Sequence, residues 1–457
     1  LNGQSTTKTY AELLTTNVVK NVTCKNGTTA NWDNTDFSIK LKNIHTPDYC
    51  TIDFTDGYIV TLTATNGTVS APTTQSIGYN GSVSFIVTPN DGYILELTTN
   101  TCGGTLSGNT YTISKVTSNK SCSIAFKSNN PFSEGTLAAK IISDNPTVKT
   151  RTDFNTTFTE TNTGTLYKAT ESISGNTPKD VYYFAGDAKN NWVKFGGFYW
   201  RIIRTNHDGS IRLLYAGTSH NTTSAYIGTS AFNSTYNDPM YVGYMYGTSG
   251  SLASNRTNTT DSTIKTYIDN WYNNNLSSYS KYISTEAVYC NDRELASGAT
   301  YNTGNTTFYY APYGRLSTNN TPTYNCTNIK DAFSGSNSEA KLTYPMGLMT
   351  ADEIVYAGGK YYTRLTAPYA WYYTNANGKN ITGSTSWWAL SPSFWDDSGS
   401  RVWFVLGNGL PGGLNQLDVA KSEAVRPVIS LNSCVKYSSG NGSAINPYTI
   451  EETSSGC

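Results

Sequence analysis

The chain has 457 residues, only 14% of them charged, and its 32 acidic and 32 basic side chains cancel. That length implies about two to four domains, and the balanced charge excludes a field that would steer the protein to nucleic acid or an anionic membrane. Soluble domains carry roughly 25% charged residues, so solubility here rests on Asn, Thr, Ser, Gly and 35 Tyr, a β-rich composition of the secreted type.

The chain opens at Leu1 without a Met. We expect a mature or trimmed ectodomain whose export signal or anchor lies upstream. No apolar run approaches the ~18 residues that span a bilayer, so no membrane contact is expected from this segment. The eight cysteines fall as near neighbours, Cys24/Cys50, Cys102/Cys122, Cys290/Cys326 and Cys434/Cys457, with no CxxC pair. An even count at wide spacing indicates disulfides in an oxidising compartment rather than zinc or a redox motif. Sequential pairing is preferred because it keeps each bridge inside one proposed module. The three histidines, His45, His207 and His220, are isolated, which argues against a His-built metal site or a Ser/His triad. No metal and no cofactor are expected.

Two N-terminal segments end alike. FSIKLKNIHTPDYCTIDF (Phe37–Phe54) and YTISKVTSNKSCSIAF (Tyr111–Phe126) each give a strand, a polar turn and Cys-x-Ile-x-Phe. The alternation Cys50, Ile52, Phe54 marks one face of a half-buried strand. Between them, YIVTLTATNGTVS and YNGSVSFIVTPNDGYILE read as strands broken by Asn-Gly and Asp-Gly turns. Over Tyr58–Phe126 the sequence resembles the internalin-type B-repeat, an extracellular β-module. The resemblance implies a spacer, preceded by a shortened relative.

SEGTLAAKIISDNP predicts a short helix ending before Pro146, then a Thr/Asn-rich linker to about Thr170. From Lys179 the texture changes. NWVKFGGFYWRIIR runs through Asn206-His207-Asp208-Gly209 into SIRLLYAG, a predicted hairpin. DSTIKTYIDNWYNNNL carries Ile264, Tyr267, Ile268 and Trp271 on one helical stripe behind a Ser/Asp cap. A long, weakly structured stretch from Ser297 to Ser338 follows. MTADEIVYAGG then places Thr350 at an N-cap, Glu353 three residues on as a capping box, and Gly358 as the stop. Arg426, amid β-branched residues, is expected to be semi-buried as a brace to carboxylates or carbonyls, and one of Arg201 and Arg204 to face inward.

FGGFYWRIIRTNHDGSIRLLYAG, YNDPMYVGYMYG, LTYPMGLMTADEIVYAGG, WWALSPS and AVRPVISL resemble surface proteins of Gram-positive bacteria. Their C-terminal halves are similar to the C-type lectin-like variable proteins of diversity-generating retroelements. The resemblance covers roughly Asp180–Ile450. It implies an α+β C-type lectin-like ligand-binding domain with two helices (179–457), which with the segments read above makes a multi-domain, mainly β protein: a short disulfide-pinned module (1–56), a B-repeat-like, Ig-like module (57–128) and a helix plus linker (129–178). In that fold the first and last strands pair.

The closing segment, Ser386–Leu431, sets Asp, Ser, Gly, Asn and bulky apolar residues on a sparse apolar frame. The resemblance places ligand-contacting, diversified positions here: Ser393, Phe394, Asp396, Asp397, Ser398, Ser400, Arg401, Leu406, Asn408, Leu410, Pro411, Gly412, Asn415, Leu417, Asp418, Ala420 and Ser422. Trp395, Trp403, Gln416, Lys421 and Glu423 do not arise from mutagenised Asn codons and would be template-fixed, which leaves active diversification open. Trp395 is added to the contact set as the tryptophan expected to be exposed. Trp387 or Trp388, and one of Trp395 and Trp403, are expected in the core. A mixture of rigid aromatics with Ser, Gly and Asn is the composition of a paratope.

Asp396-Asp397 lacks the converging oxygens of a calcium or acid/base site and reads as solvated loop acids. The enzymatic rival on this fold, a formylglycine-generating type, relies on reactive core cysteines, whereas Cys434 and Cys457 look structural, so no enzyme is expected. The reading is an adhesin-type protein, extracellular and secreted or displayed at the cell surface, whose partner is a protein or glycan on a cell or phage surface. A structural pilus or surface-layer subunit is the alternative.

Overall fold

The computed structural model describes residues 17–33, 38–44, 47–90 and 92–457. The opening of the 1–56 module, Phe37 of the repeat, His45, and Asp91 of the Asp91-Gly92 turn lie outside the described residues. The chain is mainly β and divides into two compact units, one ending at Pro131 and the other beginning at Phe132.

In the first unit, Asn17–Cys24 pairs antiparallel with Cys50–Asp56, and Cys24 is bridged to Cys50 directly opposite it. Two four-stranded sheets follow. Gly81–Pro89 and Thr110–Val116 lead one, while Tyr58–Thr65 and Lys120–Ser128 pair in parallel at the centre of the other. Strict alternation supplies the shared core: Val60 and Leu62, Val83, Phe85 and Val87, Cys122, Ile124 and Phe126 are all buried. Each fully buried side chain of this kind contributes about 1.5–3 kcal/mol. Asn66 and Asn80 take the left-handed backbone conformation of the anticipated Asn-Gly turns. At Gly67 a Cβ would lie 2.4 Å from the Phe126 ring, so glycine lets this turn close onto the core.

In the second unit, strands and helices are numbered from its own start. Helix α1 (Leu137–Asp144) is capped by the Thr136 hydroxyl on Ala139 N and buries Leu137, Ala138, Ala139 and Ile141. Strands β1 (Thr165–Glu171), β2 (Lys179–Tyr183), β3 (Phe198–Thr205) and β4 (Ile211–Tyr215) are successive neighbours in an eight-stranded sheet. The segment 129–178 is therefore no helix-plus-linker outside the domain: from Phe132 on it belongs to the unit. The apolar face of α1 and the pairing of β1 with β2 give it buried surface and a full ladder. Composition alone made that Thr-rich stretch look unstructured.

The predicted hairpin is β3–β4, turning at Asn206–Ser210. The closing strand, β10 (Pro427–Leu431), runs antiparallel beside β4, with Ile211 opposite Leu431 and Leu213 opposite Ile429. It thus pairs with the hairpin's second strand, while β1 lies toward the other side of the sheet. Helix α2 (Thr263–Asn275) starts at Ser262 and buries Ile264, Ile268 and Tyr272. Helix α3 (Ala351–Ala357) has the full Thr350/Glu353 capping box and stops at Gly358.

Glu353 does more than cap. Its Oε2 accepts from Thr350 N, while its Oε1 lies 2.9 Å from Arg204 Nε and 2.7 Å from Arg212 Nε. A β-bulge between Ile202 and Arg204 sets Arg204 opposite Arg212. Arg204 also binds Glu171 at 2.8 Å. Arg201 and Arg204 are both buried, where one had been expected inside. Arg201 finds the Asn191 side chain and the Ala188 carbonyl, over the ring of Trp192. Arg426 is fully buried rather than semi-buried. It donates only to carbonyls, those of Tyr215 and Tyr372, over the ring of Trp387.

The stretch 297–338 is tied down at several points. Arg315 pairs with Asp352 and Asp292, both at 2.8 Å, and Cys290 is bridged to Cys326. All eight cysteines pair sequentially, a set that fits an oxidising, extracytoplasmic setting. Among the described residues no helix is long and apolar enough to cross a membrane.

Candidate functional site

The closing segment builds the second sheet of this unit. Strand β6 (Trp387–Asp396) forms a hairpin with β7 (Gly399–Val405), and β8 (Leu414–Asp418) continues antiparallel on β7. Strand β5 (Phe308–Tyr309), from the middle of the chain, adds to β6, with Phe308 opposite Trp395 and Tyr309 opposite Phe394. Strand β9 (Ser422–Ala424) lies on the far side of β6, against Thr229–Ala231.

Cross-strand register sorts the side chains. Phe394 pairs with Arg401, Arg401 with Asp418, and Trp403 with Gln416, so these share one face with Tyr309. Ser393, Trp395, Ser400 and Val402 occupy the other face, which is buried. Three members of the expected contact set are thereby corrected: Ser393, Trp395 and Ser400 are not at the surface. Trp395 is only 4% exposed, and its indole N–H donates to Gly304 O at 2.8 Å. The Ser400 hydroxyl donates to Asp238 O at 2.7 Å. Trp387, Trp388 and Trp403 are buried as well, so none of these four tryptophans is displayed.

The hairpin turns through Asp397 and Ser398 between the paired Asp396 and Gly399. Gly399 has φ +127°, and a Cβ there would lie 2.7 Å from the Tyr236 ring, so glycine is required for this turn to pack. Asp396 Oδ1 accepts from Ser398 N and Oγ, and Ser398 Oγ accepts from Arg401 Nη2 at 2.6 Å. Arg401 lies 3.6 Å from Asp396 Oδ2 and holds its guanidinium 5.2 Å above the Phe394 ring. Asp397 is exposed at the tip.

Beside Phe394 and Arg401 stand tyrosines brought from elsewhere in the chain. Tyr309 and Tyr313 stack with centroids 4.2 Å apart. Tyr313 meets Phe394 edge-on at 6.0 Å, and Tyr361 meets Trp403 edge-on at 5.4 Å. Tyr362 adjoins Tyr361 and is 65% exposed, and Tyr309 is 37% exposed. Burial, with Tyr361 and Tyr309 close by, pushes the Tyr313 phenol above its ordinary value. The face is aromatic, half-exposed and fixed by ring-on-ring contact.

The remaining expected residues separate. The seven-residue β7 puts the Asp396–Gly399 turn at one end of the hairpin and the loop 406–413 at the other, about 20 Å away at the rise of a strand. That loop is pinned: the Tyr372 hydroxyl donates to Gly412 O, and Leu365 N to Pro411 O. Leu406, Leu410 and Pro411 are half-buried, Gly412 is buried, and Asn408 is exposed. Asn415 and Leu417 point to the face opposite Arg401, and Asp418 shares its face. Ala420 caps back onto Asp418 Oδ1, and Ser422 is exposed at the start of β9.

Phe394, Asp396, Asp397, Ser398, Arg401 and Asp418 thus form one patch, and the loop residues do not join it. Sequence reasoning missed Tyr309, Tyr313, Tyr361 and Tyr362. The runs FYYAPYGR and KYYTR hold an aromatic density that could have signalled them. Among the described residues no cluster of His, Cys, Asp and Glu is placed to hold a metal ion. No family model, curated protein or solved structure matches this chain.

Proposed function

We propose that the protein is an extracellular ligand-binding protein of adhesin type, secreted or displayed at the cell surface. Its C-terminal unit, read as a C-type lectin-like domain, recognises a surface ligand by noncovalent contact without turnover. The observation that carries this reading is the half-exposed face of Tyr309, Tyr313, Tyr361, Tyr362 and Phe394, locked by mutual ring packing and edged by Arg401, Asp397 and Asp418. Tyrosine supplies large, stiff, amphipathic contact area at low entropic cost, and fixed rings have little freedom left to lose on binding. The residues on which retroelement diversification would act at this face are Phe394, Asp396, Asp397, Ser398, Arg401 and Asp418, whose side chains can vary without entering the buried face.

The test uses the full chain, fluorescently labelled, against a panel of bacterial and animal cells read by flow cytometry. Phe394→Ala and Tyr361→Ala should each reduce binding by about tenfold or more, as truncation of an interface anchor does, with unchanged circular dichroism. Equal binding by wild type and both variants would remove the recognition face. Self-association that depends on the same residues, with no cell bound, would favour the pilus or surface-layer reading. Retroelement diversification is tested separately: a neighbouring template repeat differing from this gene at adenines supports it, and its absence makes the segment static.

A further inference from the structure

Next to Tyr309 lies an open bowl of about 560 Å³, formed by the loop between Ala296 and β5. Its lining includes Ser297, Thr300, Asn302, Thr306, Thr307 and Tyr309, and none of its lining residues is charged. The volume falls in the range of small-ligand sites, about 300–1,000 Å³. The bowl is held in shape. Trp395 donates to Gly304 O, Ala296 N to Tyr309 O, and Asn302 Nδ2 to Thr306 O at 2.9 Å. Asn302 Oδ1 is left with no hydrogen-bond partner.

We infer that this bowl is a binding subsite for a neutral glycan, with Tyr309 as the shared wall between it and the aromatic face. The inference rests on the recognition reading given above and names the ligand class for one part of it. The chemistry of the lining decides the class. A phosphate, sulfate or carboxylate would require a cation in the lining, and a basic group would require a carboxylate; the bowl offers neither. A purely apolar ligand would strand the Ser and Thr hydroxyls of the lining. A neutral sugar satisfies every element. Its hydroxyls donate and accept, as the Ser and Thr hydroxyls of the lining do. Its apolar C–H face lies on the exposed ring of Tyr309.

The experiment is saturation-transfer NMR of the full chain with maltohexaose, cellohexaose, xylohexaose, mannohexaose and N-acetylchitohexaose, and with decaproline as a peptide arm. At least one hexasaccharide should bind. Tyr309→Ala should weaken it by about tenfold, Tyr309→Phe should retain it, and the double variant Thr300→Val/Thr307→Val should weaken it without loss of fold. These positions are exposed, so the variants should fold. Binding by none of the five sugars, sugar binding indifferent to Tyr309→Ala, or decaproline binding that depends on Tyr309 in place of a sugar, would each overturn the inference. The two readings fail separately. Cell binding that depends on Phe394 and Tyr361 with no sugar bound leaves the recognition face and removes the glycan subsite, whereas sugar binding that depends on Tyr309 without a role for Phe394 or Tyr361 does the reverse.

Discussion

Trp395 donates its indole N–H to the carbonyl of Gly304 at 2.8 Å, joining strand β6 to a loop 91 positions earlier in the chain. That bond ties the loop to the buried Trp395 and is one of three that hold the bowl beside Tyr309. Trp395→Phe keeps an aromatic ring and removes the donor. It should cost about 1–3 kcal/mol through lost packing and an unpaired carbonyl, and it should speed amide exchange across Asn302–Thr307. Urea unfolding and hydrogen-exchange mass spectrometry measure the two effects. Unaltered exchange in the loop would mean that the bond does not order it.

Glu353 is the carboxylate on which two buried arginines converge, and it caps α3 as well. Glu353→Gln removes the charge at constant shape and leaves Arg212 without an acidic partner in the interior. Breaking a buried pair in this way costs about 3–5 kcal/mol. The urea midpoint of the C-terminal unit should fall accordingly, and a change below about 1 kcal/mol would show that the arginines are satisfied by other groups.

Stability should depend on pH through the same cluster. Burial alone would raise the Glu171 carboxyl, but the Arg204 charge, with hydrogen bonds from His207 and Arg204, outweighs it and holds the group at about 2, below its ordinary 4.5. Burial alone would lower His207, but its bond to Glu171 and that carboxylate's charge hold it above its ordinary 6.5. The depressed acid stabilises the fold fully above 4.5 and loses its effect as pH falls toward 2. The raised base stabilises fully below 6.5 and loses its effect as pH rises through its folded value. Thermal melts should therefore peak between about pH 4.5 and 6.5 for this pair. His207→Gln should flatten the alkaline decline and weaken the acid limb without abolishing it, because Arg204 still holds the Glu171 carboxylate. An alkaline limb unchanged in that variant would assign the decline to other groups.

Exposed and buried members of the closing segment should separate cleanly under substitution. Asp397→Ala, Asn408→Ala and Ser422→Ala, all at exposed positions, should each change stability by no more than about 0.5 kcal/mol. Ser400→Val should cost about 1–3 kcal/mol, because its hydroxyl donates to the Asp238 carbonyl inside the unit. Equal effects at all four positions would contradict the division of the sheet into two faces.

Much of the framework was legible because it is written in local rules. The capping box at Thr350/Glu353, the stop at Gly358, the hairpin through Asn206–Gly209 and the Asn-Gly turns all follow from side chains acting on their own backbone neighbours. The site was half legible. The turn from Asp396 to Gly399 and its Phe394/Arg401 pair lie in one stretch of sequence, and that stretch drew attention. Trp395 was misplaced because alternation fixes which residues share a face but not which face is covered. Here the loop carrying Gly304 covers the Trp395 side.

The sequence by itself determined the mainly β character, the neighbouring disulfides and the helices that bear their own caps, since each depends on chemistry within a few residues or on spacing along the chain. Only the tertiary structure decided that Phe132–Glu171 joins the C-terminal unit, that Arg204 and Arg212 share Glu353, and that tyrosines from two distant segments complete the face begun by Phe394. Those outcomes turn on which distant surfaces exclude water from one another, a property of packing that no local pattern of residues carries.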